Sequence, residues 1–274
     1  MADIDFFKPN VADVLEFLTL FFDSSCGSSV LNTARSALSS FISVNNLPVG
    51  QHSLVKRFMK GAFNMKPSFP RYTFTWDVNL VLKFLKSMDN FDNITLKWLT
   101  FKLAMLVALV SGQRCETLHC LNVDNIDIFS DKAVFHITEL LKHSRLGVHL
   151  KPIELKHYTQ DKDLCVVTAL EVYIHRTAHL LNNNSFLFIS YLKPYNRASC
   201  NTISRWIKNV LCLSGINTDI FKAHSTRSAA TSAAFVAGIP IADILKTAGC
   251  TFAKYYSKPV MSCLGDAVFT SDVI

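Results

Sequence analysis

The chain has 274 residues, half of them hydrophobic and only 18% charged, which leaves room for a sizeable core and excludes wholesale disorder. The formal net charge of +7 suits a polyanionic partner. Eight cysteines are scattered without any Cys-x-x-Cys spacing, which speaks against a structural zinc site. MADIDFFKPN carries acids where a secretory leader carries cations, so free thiols in a reducing compartment are expected and secretion is not.

Val11, Val14, Leu15, Leu18 and Phe22 recur at helical spacing and predict a first helix. Ser28 or Ser29 is expected to cap a second helix running to about Ile42, and Asn45-Asn46-Leu47-Pro48-Val49-Gly50 breaks it. A short third helix is predicted over His52 to Met59, with Lys56, Arg57 and Lys60 along it. Two prolines and two basic residues in Asn64 to Tyr72 mark a boundary. They divide the chain into a small helical domain over 1–66 and a larger one over 70–274.

In the larger domain, Val78, Val81, Leu82 and Leu85 make an amphipathic helix. Ile94 to Ser111 is apolar nearly all round and predicts the central helix. Its most apolar run, Leu103 to Val110, is too short to span a bilayer, so no membrane partner is expected. Short β-rich runs follow at 126–129, 133–138 and 148–153, and the basic loop 140–147 lies between the last two. Asp163 is expected to cap a helix reaching Leu181, and Phe186 to Ile189 reads as a short strand. Ile203, Trp206, Ile207, Val210 and Leu211 mark another helix, with Arg205 and Lys208 on its other face. Ser225 starts an alanine-rich helix, a short helix follows, and Tyr255 and Tyr256 stand among lysines. The fold class expected is mainly α with a small antiparallel sheet, that is, α+β.

Arg114 ends the phrase Ser-Gly-Gln-Arg after the apolar helix, Lys142 lies in LLKHSRLG, and His224 and Arg227 form a His-x-x-Arg pair. Guanidinium groups stay charged and bind phosphate bidentately, an imidazole exchanges protons near neutral pH, and a phenol among cations is drawn toward phenolate. Each residue alone also has an ordinary reading as a surface cation, a helix-start pair or a packed ring. His175 and His179 lie four apart without a companion carboxylate motif, and Cys115 and Cys120 read as packing residues. No Gly-x-x-x-x-Gly-Lys-[Ser/Thr] loop is present, so an ATP-driven motor is not expected, nor is a metal or small-molecule cofactor.

Taken in order, LTFKLAMLVALVSGQRCETLHCL, LLKHSRLG, KAHSTRSAATSAAFVAGIPIADILKTAG and TFAKYYSKPV resemble the motifs of the tyrosine recombinase (integrase) superfamily. They look most like its eukaryotic mobile-element branch of DIRS-type retrotransposons and Cryptons. The resemblance covers residues 70 to 262 and extends to the helical N-terminal part, which is similar to the family's SAM-like core-binding domain. It implies a DNA-binding enzyme of DNA recombination and integration that breaks and rejoins strands through a covalent 3′-phosphotyrosine intermediate. It also implies the roles: Arg114 and Arg227 as phosphate-binding cations, His224 in proton transfer, Lys142 as general acid, and Tyr256, in preference to Tyr255, as nucleophile. Double-stranded DNA is the implied partner, a synaptic tetramer the implied homo-oligomer, and the nucleus, otherwise the cytoplasm, the implied compartment.

One phrase departs from the family. Ala248-Gly249-Cys250-Thr251-Phe252 stands where the family has a histidine or tryptophan donor, and about four residues of the following loop are absent. A thiol is a weak donor. Two further readings therefore stand beside the first: a DNA-binding descendant that no longer cuts, and a type IB topoisomerase-like relaxer.

Overall fold

The computed structural model describes residues 9–67, 73–141, 144, 151–181 and 185–248. Contacts divide the chain into two compact units, Met1–Arg71 and Tyr72–Ile274.

In the first unit, Asn10 opens α1 (Val11–Asp23). Its Oδ1 accepts the Ala12 and Asp13 amides at 2.7 and 3.1 Å, and the Asp13 carboxylate accepts the Asn10 amide at 2.8 Å. That reciprocal cap satisfies amides that have no partner inside the helix. α2 (Ser28–Phe41) starts earlier than expected: Gly27 holds the cap position and Ser28 is already helical. Asn45 and Asn46, with φ of 53° and 60°, join β1 (Ser43–Val44) to β2 (Leu47–Pro48) as a hairpin where only a break was expected. Asparagine tolerates the left-handed region, and two positive φ values in succession suit a tight hairpin turn. α3 (Ser53–Met65) runs one and a half turns past Met59. Val14, Leu18, Leu31, Val49, Val55 and Ala62 are the core of this unit.

The second unit runs through α4 (Val78–Lys86), α5 (Leu96–Ser111) and α6 (Cys115–His119) into strands β3 (Ile126–Ile128), β4 (Lys132–Phe135) and β5 (Ile153–Lys156). It continues with α7 (Val166–Thr177), α8 (Cys200–Leu213), α9 (Ser225–Val236) and α10 (Ile241–Ala248). Every residue of α5 from Leu99 to Ala108 is buried. α7, α8, α9 and β5 pack against it, α4 rests on α8 and α9, and α10 leans on α9. The Phe101 ring sits 5.6 Å from Trp98, 5.8 Å from Tyr191 and 6.2 Å from Trp206, centroid to centroid. Tyr173 is wholly buried, so its phenol is pushed up to about 12, and it accepts the Ile189 amide at 3.4 Å.

The sheet is antiparallel in the order β3-β4-β5, with Phe135 opposite both Ile126 and Ile153. β5 begins where the expected strand was to end. Its alternation is the reason: Ile153 and Leu155 face the core while Glu154 and Lys156 face out. β4 stops at Phe135, short of Thr138. α7 is capped by Cys165, not Asp163, which lies in a 3-10 turn that Asp161 caps. Phe186 and Ile189 make isolated bridges to Asn122 and Arg197 and do not form a strand.

Lys102 is the exception within α5. Its side chain is fully buried, the ammonium lies 4.8 Å from the Phe91 ring centroid, and no hydrogen-bond partner reaches it among the described residues. Burial lowers its pKa below 10.5, with Asp163 and Asp161 opposing. The unfolded chain therefore holds this proton more tightly than the folded one. The penalty is complete below the folded pKa and is relieved as pH rises toward the unfolded value. Lys102→Met is expected to stabilise the fold by about 1–3 kcal/mol at neutral pH and to flatten the rise of stability toward alkaline pH. Thermal melts over a pH series check both.

α5 ends at Gly112, whose φ of 59° lies in the left-handed region and whose amide returns to the Ala108 carbonyl at 3.1 Å. A Cβ at this position would stand 3.2 Å from the Ala248 methyl. Gly112→Ala should therefore cost about 1–2 kcal/mol, read from the shift of a denaturant midpoint.

Candidate active site

The turn that leaves α5 carries Arg114. Ser111 Oγ accepts the Gln113 amide at 3.3 Å, and Arg114, half-buried, becomes the cap residue of α6.

His224 and Arg227 lie one turn apart at the start of α9, and a buried tryptophan fixes that start. Trp76, 2% exposed, donates its indole N–H to Ser225 Oγ at 2.9 Å, and Ser225 Oγ donates in turn to the Lys222 carbonyl at 2.7 Å. His224 stands exposed at the cap position, while Arg227 is 3% exposed.

Arg227 donates to the carbonyl of Ala248, the last residue of α10. Gln113 Nε2 donates to the carbonyl just before it, that of Thr247, at 2.9 Å. Adjacent carbonyls in the last described turn of α10 are thus taken by the neighbour of Arg114 and by Arg227 itself. The two arginine-bearing segments meet there, far apart though they are in sequence.

The stem of the Lys142 loop is tied to the helix that Arg114 opens. Arg197 donates to Glu139 Oε2 at 2.9 Å and to the His119 carbonyl at 3.0 Å, and its guanidinium lies 3.3 Å over the Phe186 ring. His119 Nδ1 donates to the Ala198 carbonyl at 2.8 Å. The Arg197 hydrogen bond holds the Glu139 carboxyl below the usual carboxylate range. Cys120, buried and bonded to Glu139, has its thiol pushed up to about 12. Burial likewise pushes the Cys115 thiol up to about 11, so both are protonated at neutral pH. On either side of Lys142 and His143, Leu141 and Ser144 bond to each other: Ser144 Oγ accepts the Leu141 amide, and the Leu141 carbonyl accepts the Ser144 amide, each at 2.8 Å.

Of the five residues expected at the site, Arg114, His224 and Arg227 are described, whereas Lys142 and Tyr256, with Tyr255 and Cys250, lie outside the described residues. The Arg114 turn and Arg227 are held to consecutive carbonyls of α10, and His224 is exposed one turn before Arg227; guanidinium groups are of the type that binds phosphate bidentately. Among the described residues, no group of three or more His, Cys, Asp or Glu is placed to hold a metal ion, and no helix is long and apolar enough to cross a membrane.

Sequence reasoning missed Gln113, Trp76 and the Arg197–Glu139 pair. Gln113 had a signal, since it stands inside the Ser-Gly-Gln-Arg phrase that was read for its arginine alone. Trp76 had a weaker one, as an aromatic with a single donor at the edge of a supposed linker. Arg197 and Glu139 are 58 residues apart and carry no local signal.

No protein-family model and no curated protein matches the chain. Solved structures do. The Tn1549 transposon integrase in complex with transposon right end DNA superposes with a TM-score of 0.60 at 13% identity, over 98% of this chain and 85% of that one. The XerH site-specific recombinase in its post-cleavage complex with palindromic difH substrate gives 0.57 at 13% identity, over 88% of this chain and 66% of that one. A lambda integrase dimer bound to a COC′ core site gives 0.53 at 16% identity, over 94% and 83%. The chain thus spans just under two thirds of the XerH chain. With its central buried helix, three-stranded sheet and braced arginine turn, this protein has the tyrosine recombinase fold.

Proposed function

We propose that the protein is a DNA strand transferase of the tyrosine recombinase type, acting on duplex DNA in the integration of a mobile element. The observation that carries the reading is the meeting of the Arg114 turn and Arg227 at the end of α10, in a chain with that fold. The integrases and the recombinase it resembles are named as bound to DNA, and the net charge of +7 suits the same partner.

In this reading a scissile phosphate lies against Arg114 and Arg227, whose charge offsets the negative charge that grows on the pentacovalent phosphorus. The Tyr256 oxygen attacks. Its bond to phosphorus forms as the bond to the 5′ oxygen breaks, and Lys142 gives the leaving oxygen its proton. His224, exposed at the α9 cap, assists proton transfer at the phosphate. The 3′-phosphotyrosine conserves the bond energy, so attack by a 5′ hydroxyl from another strand rejoins the DNA without ATP. Exchange between duplexes requires several copies, a tetramer in this reading, and the work is read as nuclear, in keeping with the motifs' likeness to eukaryotic mobile elements.

A nicked suicide duplex tests the chemistry. Wild-type protein is expected to form a covalent protein–DNA adduct, with or without chelator, because the reading assigns the phosphate charge to side chains. Tyr256→Phe should bind the duplex and form none, while Tyr255→Phe should still form it. A wild-type protein that shifts the duplex without an adduct is a binder, and the enzymatic reading is then wrong. Relaxation of a supercoiled plasmid by monomeric protein would select the topoisomerase-like reading. Binding should weaken at least about tenfold between about 50 and 200 mM salt, since each neutralised phosphate releases counterion. Titration of labelled duplex at several salt concentrations measures that slope.

A further inference from the structure

Over its eight described residues α10 buries Ile244 and Ala248. A helix this short has almost no stability of its own and takes it from its surroundings. Packing there is thin: a cavity of about 170 Å³, lined by Gly112, Thr231, Ile244 and Ala248 among others, opens between α5, α9 and α10. Two polar contacts add to this packing in its last described turn. The Thr247 and Ala248 carbonyls stand in the last described turn of α10. Gln113 takes the first at 2.9 Å and Arg227 takes the second. Gly112 allows the approach, since a side chain there would crowd the Ala248 methyl at 3.2 Å.

The position of this anchor has a consequence further along the chain. Tyr255 and Tyr256 follow Ala248 by seven and eight residues. Eight residues reach about 28 Å when fully extended. The space a tethered nucleophile explores is set by where its tether begins, and a displacement of about an ångström costs up to about a hundredfold in rate. Arg227 anchors the same turn, but in the proposed reaction it also contacts the phosphate, so its substitution mixes two effects. Gln113 is uncharged, and its amide is committed to Thr247.

We infer that Gln113 is a positioning residue: by holding the end of α10 to the Arg114 turn, it sets where the tyrosine-bearing segment starts relative to the arginines. This deepens the proposed function and rests on it.

The test uses the full chain on the suicide duplex at saturating DNA, with DNA affinity measured alongside. Gln113→Met keeps the side-chain length and removes the donor, while Gln113→Lys restores a donor to Thr247. Adduct formation is expected to slow about tenfold in Gln113→Met, the worth of one well-placed hydrogen bond, with DNA affinity unchanged, and to recover in Gln113→Lys. An unslowed Gln113→Met overturns the inference. So does a loss of DNA affinity that matches the loss of rate, which is the mark of a merely structural residue. If the wild-type protein forms no adduct, the enzymatic reading fails separately, and hydrogen exchange of the α10 amides judges the anchor by itself. Faster exchange in Gln113→Met then supports the anchor, and equal exchange overturns it.

Discussion

α5 is apolar on every face, and a helix of that kind has to be enclosed on all sides. Burying each of Leu99, Phe101, Leu103, Met105 and Leu106 is worth about 2 kcal/mol. Summed along the helix, that outweighs the cost of burying the Lys102 amine. α7, α8, α9 and β5 supply the enclosure. The end of α5 is consequently among the best-fixed points of the unit, and the chain uses it to carry Arg114.

Away from that core, guanidinium groups close the chain on itself. Arg176 donates to the carbonyls of Phe91, Asp92 and Ile94 ahead of α5, Arg197 to that of His119 at the end of α6, and Arg227 to that of Ala248 at the end of α10. The first two are places where the backbone leaves carbonyls without ladder partners among the described residues. A planar fork with several N–H groups satisfies them while staying charged. Under the proposed function this would serve Arg227, because a cation already held by backbone does not have to be ordered again when a phosphate arrives. Of these three arginines, Arg227 is the one with an expected catalytic role.

Periodicity made most of the helices legible, α5 above all, because helical spacing repeats over enough turns to stand out. Short elements were less so. The Asn45-Asn46 turn and β5 depend on two or four residues, too few for a pattern. The α7 cap moved from Asp163 to Cys165 because a 3-10 turn with its own aspartate intervenes. Arg114, His224 and Arg227 were readable as residue types at fixed offsets from a helix end or from one another. Their bracing was not: Trp76 reaches Ser225, Arg197 reaches Glu139, and Gln113 reaches Thr247 across 134 residues.

The sequence by itself determined the fold class, the central helix, and the order in which phosphate-binding residue types occur, since all of these are local patterns of polarity, spacing and side-chain chemistry. Only the tertiary structure decided that Arg227 is buried against the α10 end while His224 is open, and that Gln113 joins the two arginine segments. Hydrogen bonds between residues distant in sequence depend on how helices pack, and packing is a property of the whole enclosed core, which no single stretch of the chain records.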